Sequence, residues 1–385
     1  MQDNIRSPAQ KNYYELPRVT HLITSLAIGG AENAVLRLAG NLHKRGSDNQ
    51  IVSLLPFPPY SREFTVPVFS LDVRQAWDLP QAMCRLSRLM DAHQSTVLCT
   101  WLYHADLFGG LMRLDRRRKL CLTWNLRTSE TGTQLLGTSR FIRPVCAMLS
   151  SRLPDIIVGN SEAVVKTHVR MGYDKSKTHC VPNGYDLTRF CHDSKKRQAV
   201  RASLGIGADE KVVGMVGRWH PAKDHRTFLA AVADARKEHP RIRVFLAGAG
   251  VTSENEELQR LIAEFKLAPH ILQLGLRNDV EGLFNAADVI GLFSNADEGF
   301  PNVLAEAMAC ERCCIASDTG GTAEVLGDCG KLVPRNNATA AGKALCEILS
   351  LNEGQRDDLG RRSRRRVVER FSLDTMTDRY LALWQ

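Results

Sequence analysis

The sequence predicts an α/β protein made of two doubly wound, Rossmann-like domains. Short apolar segments bounded by polar residues, such as Asp288-Val-Ile-Gly-Leu-Phe293, have the look of parallel strands buried on both faces. They alternate with longer segments whose apolar residues recur every three or four positions, the mark of amphipathic crossover helices. With 385 residues, the chain is also longer than one ordinary core requires.

Composition narrows the class. Apolar residues at 44% and charged residues at 24% are those of a globular protein. No apolar run approaches the ~20 residues of a membrane span, and MQDNIRSPAQKNYYELP lacks the apolar centre of a signal peptide. Residues 1–16 therefore read as a disordered lead-in, and the expected location is the cytoplasm, with the inner face of the plasma membrane as an extension. The eleven cysteines read as thiols in a reducing compartment. Cys310 and Cys313 form a C-x-x-C with no second pair to complete a metal set. The net charge of +9 is concentrated in residues 1–194, where 24 Lys and Arg face 16 Asp and Glu. That asymmetry points to an anionic partner for the first half. Aromatic and basic residues do not interleave as in nucleic-acid binders, so a membrane surface or a phosphate-linked glycan fits better than nucleic acid.

Taken in order, Arg18–Leu26 is the first strand, and Ala27-Ile-Gly-Gly-Ala-Glu32 leads into a helix with apolar residues at 31, 34, 35, 38, 39 and 42, ending at Gly46. Gly29 and Gly30 allow a ligand to approach the backbone where the helix begins. Strands at Gln50–Leu55 and Val66–Ser70, a helix over 78–93 and a strand at Thr96–Thr100 follow, with His104 just beyond the last. Strand Leu120–Trp124 leads to Asn125 and Arg127. The intervening basic run Arg113–Lys119 suits a helix C-terminus better than a lipid contact, though it permits both. Residues 128–140 are turn-rich and read as a mobile loop. Strand Asp155–Gly159 and a helix opened by Asn160-Ser161 bring the chain to Val181-Pro-Asn-Gly-Tyr-Asp186 and Phe190, which close a domain of residues 17–190. Residues 191–207 read as a partly helical linker.

The second domain, 208–366, opens on strand Lys211–Val216, which delivers Arg218 and Lys223. An Arg fork and a Lys point charge are suited to phosphate oxygens. Strand Arg243–Ala247, helix 254–266 and strand Ile271–Leu274 lead to Gly275-Leu-Arg-Asn-Asp279, which contains Arg277. After the strand ending at Phe293 come Glu298, Gly299, Phe300, Pro301, Asn302, Val303, Leu304 and, two turns into a helix, Glu306. A helix N-terminus beyond a strand's carboxyl end offers free N–H groups and a positive dipole end to a diphosphate. Ala316–Glu324 is a further glycine turn into a helix. The last segment, 367–385, is helical.

EGFPNVLAEAMAC resembles the E-x7-E signature of retaining, GT-B fold glycosyltransferases of family 4, nucleotide-sugar enzymes of bacterial surface-polysaccharide assembly. GGAE, PNG-x-D-x3-F ending at Phe190, and GR-x4-K over Gly217–Lys223 resemble the same family. The resemblance implies transfer of a hexosyl group from a nucleotide diphosphate sugar, expected to be UDP-linked, to a hydroxyl of a glycan or lipid-linked glycan. It implies that Arg218 and Lys223 clamp the pyrophosphate, that Glu298 orients the sugar, that Glu306 holds the ribose and that His104 reaches the sugar from the facing domain. The glycine loop, Arg277 and residues 300–304 are implied in donor binding, and the last helix is implied to cross back onto the first domain. No cofactor beyond the donor substrate is expected. No metal is expected either, because no two aspartates flank a single residue. A non-catalytic scaffold and a nucleotide-sugar epimerase are the alternatives. One departure stands out: where the family has glycine and proline, this chain has Glu311 and Cys313. Glu311 is expected to end its helix without a left-handed glycine, and loss of the proline to loosen the turn.

Overall fold

The computed structural model describes residues 16–27, 29–57, 63–114, 119–128 and 138–385. The lead-in over 1–15, four residues of the basic run (115–118) and most of the loop over 128–140 lie outside the described residues.

The first domain is a seven-stranded, wholly parallel sheet made of β1 (Val19–Ile23), β2 (Asn49–Ser53), β3 (Val68–Ser70), β4 (Val97–Trp101), β5 (Cys121–Leu126), β6 (Ile156–Gly159) and β7 (Thr178–Cys180). Their order is β3-β2-β1-β4-β5-β6-β7. All five residues of β1 are buried, polar Thr20 and His21 included, because helices cover both faces of the sheet. One face packs Leu22, Leu98 and Trp124 under α2 (Leu79–His93), α3 (Tyr103–Gly110) and α4 (Ser139–Leu149). The other packs Ile23, Cys99 and Trp101 against α1 (Gly30–Lys44). Helix α5 (Glu162–Arg170) begins at Ser161, whose hydroxyl accepts from Val164 N–H at 3.1 Å.

The second domain has six parallel strands: β8 (Lys211–Val216), β9 (Ile242–Ala247), β10 (Ile271–Gln273), β11 (Val289–Leu292), β12 (Cys313–Ser317) and β13 (Lys331–Val333). Their order is β10-β9-β8-β11-β12-β13, and α7 (His225–Ala235), α8 (Glu256–Glu264), α11 (Thr322–Leu326) and α12 (Ala338–Ser350) are among the helices of this domain. Strand order thus reverses between β1 and β4 in one sheet and between β8 and β11 in the other. Those switch points are where open α/β sheets bind ligands, beyond the carboxyl ends of the strands.

Two connections differ from their sequence reading or extend it. Residues 191–207 are not a free linker. Helix α6 (Ser194–Ser203) packs on α9 (Val280–Ala286) as part of the second domain. Arg197 donates to the carbonyls of Asn285, Ala286 and Ala287 and pairs with Asp288 at 2.6 Å, and buried Arg201 donates to Ala286, Gly207 and Glu210 carbonyls. Helix α13 (Glu353–Phe371) then passes the chain to α14 (Leu373–Leu383), which packs on α1 of the first domain. Met376 and Tyr380 of α14 enter the first domain's core, and Trp384 Nε1 donates to Thr123 Oγ1 at 2.9 Å. A stripe of α1 four residues apart grips α14. Asn41 donates to Asp374 at 3.1 Å and Thr377 at 2.9 Å, and Arg45 pairs with Asp374 at 2.6 Å and with Asp378.

Glu311 corrects the sequence reading. Helix α10 (Asn302–Ala309) ends at Cys310, and Glu311 itself adopts the left-handed conformation with φ 61. Glu311 N–H donates to Met308 O at 3.0 Å and Arg312 N–H to Ala307 O at 3.1 Å, the two bonds of a Schellman end. The turn keeps the shape a glycine would give it, and α13 seals it. A Cβ on Gly360 would lie 2.3 Å from Glu311 O, so only glycine lets α13 sit this close.

Candidate active site

The loop after β11 carries the two carboxylates into different surroundings. Glu298 is reached from three sides. Lys223 forms an ion pair with its Oε1, and Ser294 Oγ donates to the same oxygen. Behind it, Gly321 N–H donates to Glu298 O at 2.8 Å. Gly320, at φ +52, lets the chain pass where a Cβ would stand 2.1 Å from that carbonyl. Lys223 is held in turn by a short antiparallel bridge to Ser294, so the ends of β8 and β11 meet at the switch point. Arg218, just past β8, is exposed and makes no hydrogen bond or ion pair among the described residues. The structure thus joins Lys223 to Glu298 and leaves Arg218 as an open guanidinium.

Helix α10 starts at Pro301, and no side chain caps its first turn. Its N-terminus faces the glycine loop of the first domain, where a Cβ on Gly30 would lie 3.2 Å from Asn302 Nδ2. Asn302 is the hub of this contact. Its Oδ1 accepts from Asn183 Nδ2 at 3.0 Å and from Tyr185 OH at 2.5 Å, both supplied by the segment after β7. Phe300 and Leu304 turn inwards. Phe300 is 5% exposed, stacked on Tyr185 and edge-on to Phe371, and Leu304 is fully buried. Their backbones, with that of Val303, are what they can offer a ligand, and only the edge of Phe300 reaches the cleft.

A cavity of about 260 Å³ opens here between the domains, lined by Gly30, Glu32, Arg127, Asn160, Asn183 and Asn302 among others. Arg127 is locked in place. It donates to Asn183 and Asn125 at 2.9 Å each, bonds Tyr380 OH, and stacks over Trp101 at 4.3 Å. Asn160 Oδ1 and Arg127 Nε are buried and have no partner among the described residues, so polar capacity remains for a bound hydroxyl. Asn160 enters the sequence reading only as a helix opener. A side chain at a strand's carboxyl end beside the switch region was the signal available for it.

His104 sits in the first turn of α3, half-buried, with Nε2 2.7 Å from Thr138 Oγ1. Burial lowers its pKa, which favours the neutral imidazole. No hydrogen bond joins it to the other predicted residues. Arg277 is turned onto Asp279, with bonds of 2.8 and 2.6 Å, at the start of α9. Glu306 is 9% exposed and pairs at 2.6 Å with Arg37 of α1, across the domain boundary. Arg37 was absent from the sequence reading. Its position four residues before Asn41 and eight before Arg45, on a polar stripe flanking the apolar face of α1, is the signal that marks it. Burial pushes the Glu306 carboxyl up, and the Arg37 charge opposes the shift.

Comparison with known proteins converges on one family. A model of glycosyltransferase family 4 matches residues 28–189, and one of glycosyl transferases group 1 matches residues 196–366. The glycosyltransferase EpsF of Bacillus subtilis (strain 168) is 33% identical over 147 residues, 38% of this chain and 37% of that protein. The D-inositol 3-phosphate glycosyltransferase of Mycobacterium bovis is 32% identical over 222 residues, 56% of this chain and 45% of that protein. The matches thus span less than half the length of these curated relatives. Among solved structures, HepE of Anabaena with UDP and glucose superposes with a TM-score of 0.79 at 20% identity, covering 95% of this chain and 98% of that one. A glycosyltransferase of Rickettsia africae reaches 0.81 at 17% identity, covering 96% and 98%. WaaG, a glycosyltransferase involved in lipopolysaccharide biosynthesis, reaches 0.72 at 13% identity, covering 96% and 99%.

Proposed function

The chain belongs to the family 4, group 1 glycosyltransferases of GT-B fold, and on that premise we propose that it transfers a sugar from a UDP-linked donor to a hydroxyl of a glycan or lipid-linked glycan, with retention at the anomeric carbon. The observation that carries this reading is the Lys223–Glu298 pair, set at the β8/β11 switch point. It sets a mobile cation beside a carboxylate suited to sugar hydroxyls, and that cation can reach the phosphate oxygens of a diphosphate. Arg218 supplies the second charge. The unpartnered N–H groups at the start of α10 add a fixed positive dipole end.

In this mechanism the nucleoside diphosphate leaves with its bonding pair, and the residues just named stabilise the negative charge that develops on it. Glu298 fixes the sugar through its hydroxyls, and Glu306 holds the ribose. His104, neutral and half-buried, approaches from the first domain. No carboxylate is assigned as a nucleophile, so the acceptor attacks from the face the leaving phosphate vacates, and that phosphate takes the acceptor's proton. The UDP preference is supported by neighbours crystallised with UDP, HepE and TarM of S. aureus. A role in surface-polysaccharide assembly is supported by the likeness to WaaG, a glycosyltransferase involved in lipopolysaccharide biosynthesis.

Among the described residues, no helix is long and apolar enough to cross a membrane. A peripheral contact of the first domain with anionic lipid is supported by its basic charge and by exposed Phe141 and Met148 on α4. A lipid-linked acceptor would then arrive on the side of the cleft that holds His104.

The test is a panel of nucleotide sugars assayed by thermal shift and then by transfer, with Lys223→Ala and Arg218→Ala beside the wild type. Loss of one well-placed charge stabiliser should slow transfer about 10²–10³-fold. Near-normal turnover of either variant at saturating donor would remove the diphosphate from this site.

A further inference from the structure

Arg37 and Glu306 belong to different domains, yet they form one of the most enclosed ion pairs between them. Arg37 NH2 lies 2.6 Å from Glu306 Oε1, and the two side chains are 21% and 11% exposed. The guanidinium stacks over the Tyr185 ring at 4.6 Å and points NH1 at Gly184 O, 3.5 Å away. First-domain contacts therefore fix the arginine, while the second turn of α10 fixes the carboxylate. Glu306 stands one turn beyond Asn302 on that helix, and so on the face that looks into the cleft.

A buried ion pair is a weak source of stability, because desolvation offsets most of its attraction. What it does is keep a charged acceptor in a dry place. Alone, the Glu306 carboxyl would take up a proton more readily, and a protonated carboxyl loses part of its capacity to accept from hydroxyls. Arg37 uses only Oε1. Oε2 makes no hydrogen bond among the described residues and is not sealed from solvent.

We infer that Arg37 is a positioning residue for the donor: it holds Glu306 ionised and aimed, so that nucleotide affinity depends on the first domain being closed against the second. This rests on the reading of Glu306 as the ribose-binding carboxylate. A diol would take Oε2 and share Oε1, with Arg37 braced behind. Donor binding and domain closure would then favour each other, because the arginine that prepares the carboxylate arrives with the facing domain.

The other charged or titratable groups around Glu306 do not replace Arg37. Arg189 is paired with Glu281 of α9 at 3.0 Å. Burial pushes the Tyr185 hydroxyl far up and the Cys310 thiol up to about 12, so both stay neutral. With Arg37 removed, nothing offsets the burial that pushes the Glu306 carboxyl up, and it should take a proton at a higher pH than in the wild type.

The experiment is calorimetric binding of UDP-glucose and of UDP from about pH 6 to about pH 9, with wild type, Arg37→Lys, Arg37→Met, Glu306→Gln and the double variant Arg37→Met/Glu306→Gln. Methionine keeps most of the buried volume, and circular dichroism checks folding. Wild type and Arg37→Lys should show parallel, shallow profiles. Arg37→Met should bind more weakly and lose up to about tenfold further per unit below the raised Glu306 pKa. The double variant should bind weakly with no such slope. If Arg37→Met follows the wild-type pH profile, whether or not it is weakened, Arg37 is only a packing contact and the inference fails. If wild type binds UDP-glucose tightly but Glu306→Gln alone matches it, the ribose assignment and the inference fall together. If wild type binds neither UDP-glucose nor UDP, the proposed function itself is wrong.

Discussion

Glu311→Gly should stabilise the second domain. Glu311 sits at φ 61 at the end of α10, and the left-handed region costs a residue with a Cβ roughly 1–2 kcal/mol. Glycine removes that cost but adds about 0.5–1 kcal/mol of backbone entropy to the unfolded chain. The side chain's one ion-pair contact, with Arg364 at 3.9 Å, is long and partly exposed, and a pair of that kind contributes a few tenths of a kcal/mol at most. The net expectation is a gain of about 0.5–1 kcal/mol, or roughly 2–4 °C per kcal/mol in Tm for a domain of this size. Urea titration followed by tryptophan fluorescence should move the midpoint up with the slope unchanged. Glu311→Ala separates the two effects. It keeps the strain and loses only the carboxylate, so it should not stabilise. A Glu311→Gly midpoint equal to or below the wild type would show that the left-handed turn is held without strain.

Three further outcomes follow from named contacts. Asn41→Ala should cost about 1–3 kcal/mol, because it leaves buried Thr377 without its partner on α1; limited proteolysis should then release α14 first, and unchanged protection would place its anchor elsewhere. His21 is buried on β1 with neither ring nitrogen bonded, and burial lowers its pKa from 6.5 to about 3. The unfolded state therefore binds a proton that the folded state refuses, so stability should fall by about 1.4 kcal/mol per unit as pH drops from 6.5 towards 3; His21→Leu should remove that slope, and a pH-independent difference from wild type would refute it. Exhaustive chelation with EDTA should leave transfer intact, because Arg218 and Lys223 would neutralise the two phosphates; activity lost to EDTA and restored by one divalent cation would sink the metal-free reading.

The sequence is most legible where structure is local in the chain. The order of strands and helices, the glycine turns, and the placing of Arg218, Lys223 and Glu298 just past strand ends are carried by neighbouring residues, so periodicity and motif spacing reach them, whereas the pairing of Lys223 with Glu298 spans 75 residues. Phe300 shows the limit of that logic. Its place beside Pro301 suggests a ligand contact, but the ring finds Tyr185 and Phe371, far away in sequence, and turns inwards. Arg37 was missed for the same reason in reverse. Its partner lies 269 residues on, and only the spacing of Arg37, Asn41 and Arg45 hints that this flank of α1 meets something polar. Residues 191–207 read as a linker from their polarity, but the arginines that look solvated in sequence spend their donors on helix-end carbonyls. At Glu311 composition misled: the side chain is wrong for the turn, and α13 packing on Gly360 holds the turn regardless.

The claim on which the rest depends is that Glu298 orients the reacting sugar and does not merely bind the donor. Its most direct measurement is single-turnover transfer by Glu298→Gln, with donor affinity determined on the same preparation. The amide keeps the shape and loses the charge. The account predicts a rate lower by about 10²-fold or more with donor affinity within a few-fold of wild type, since the lost interaction matters most in the transition state. A rate close to wild type, with the deficit appearing only as weaker donor binding, would contradict it.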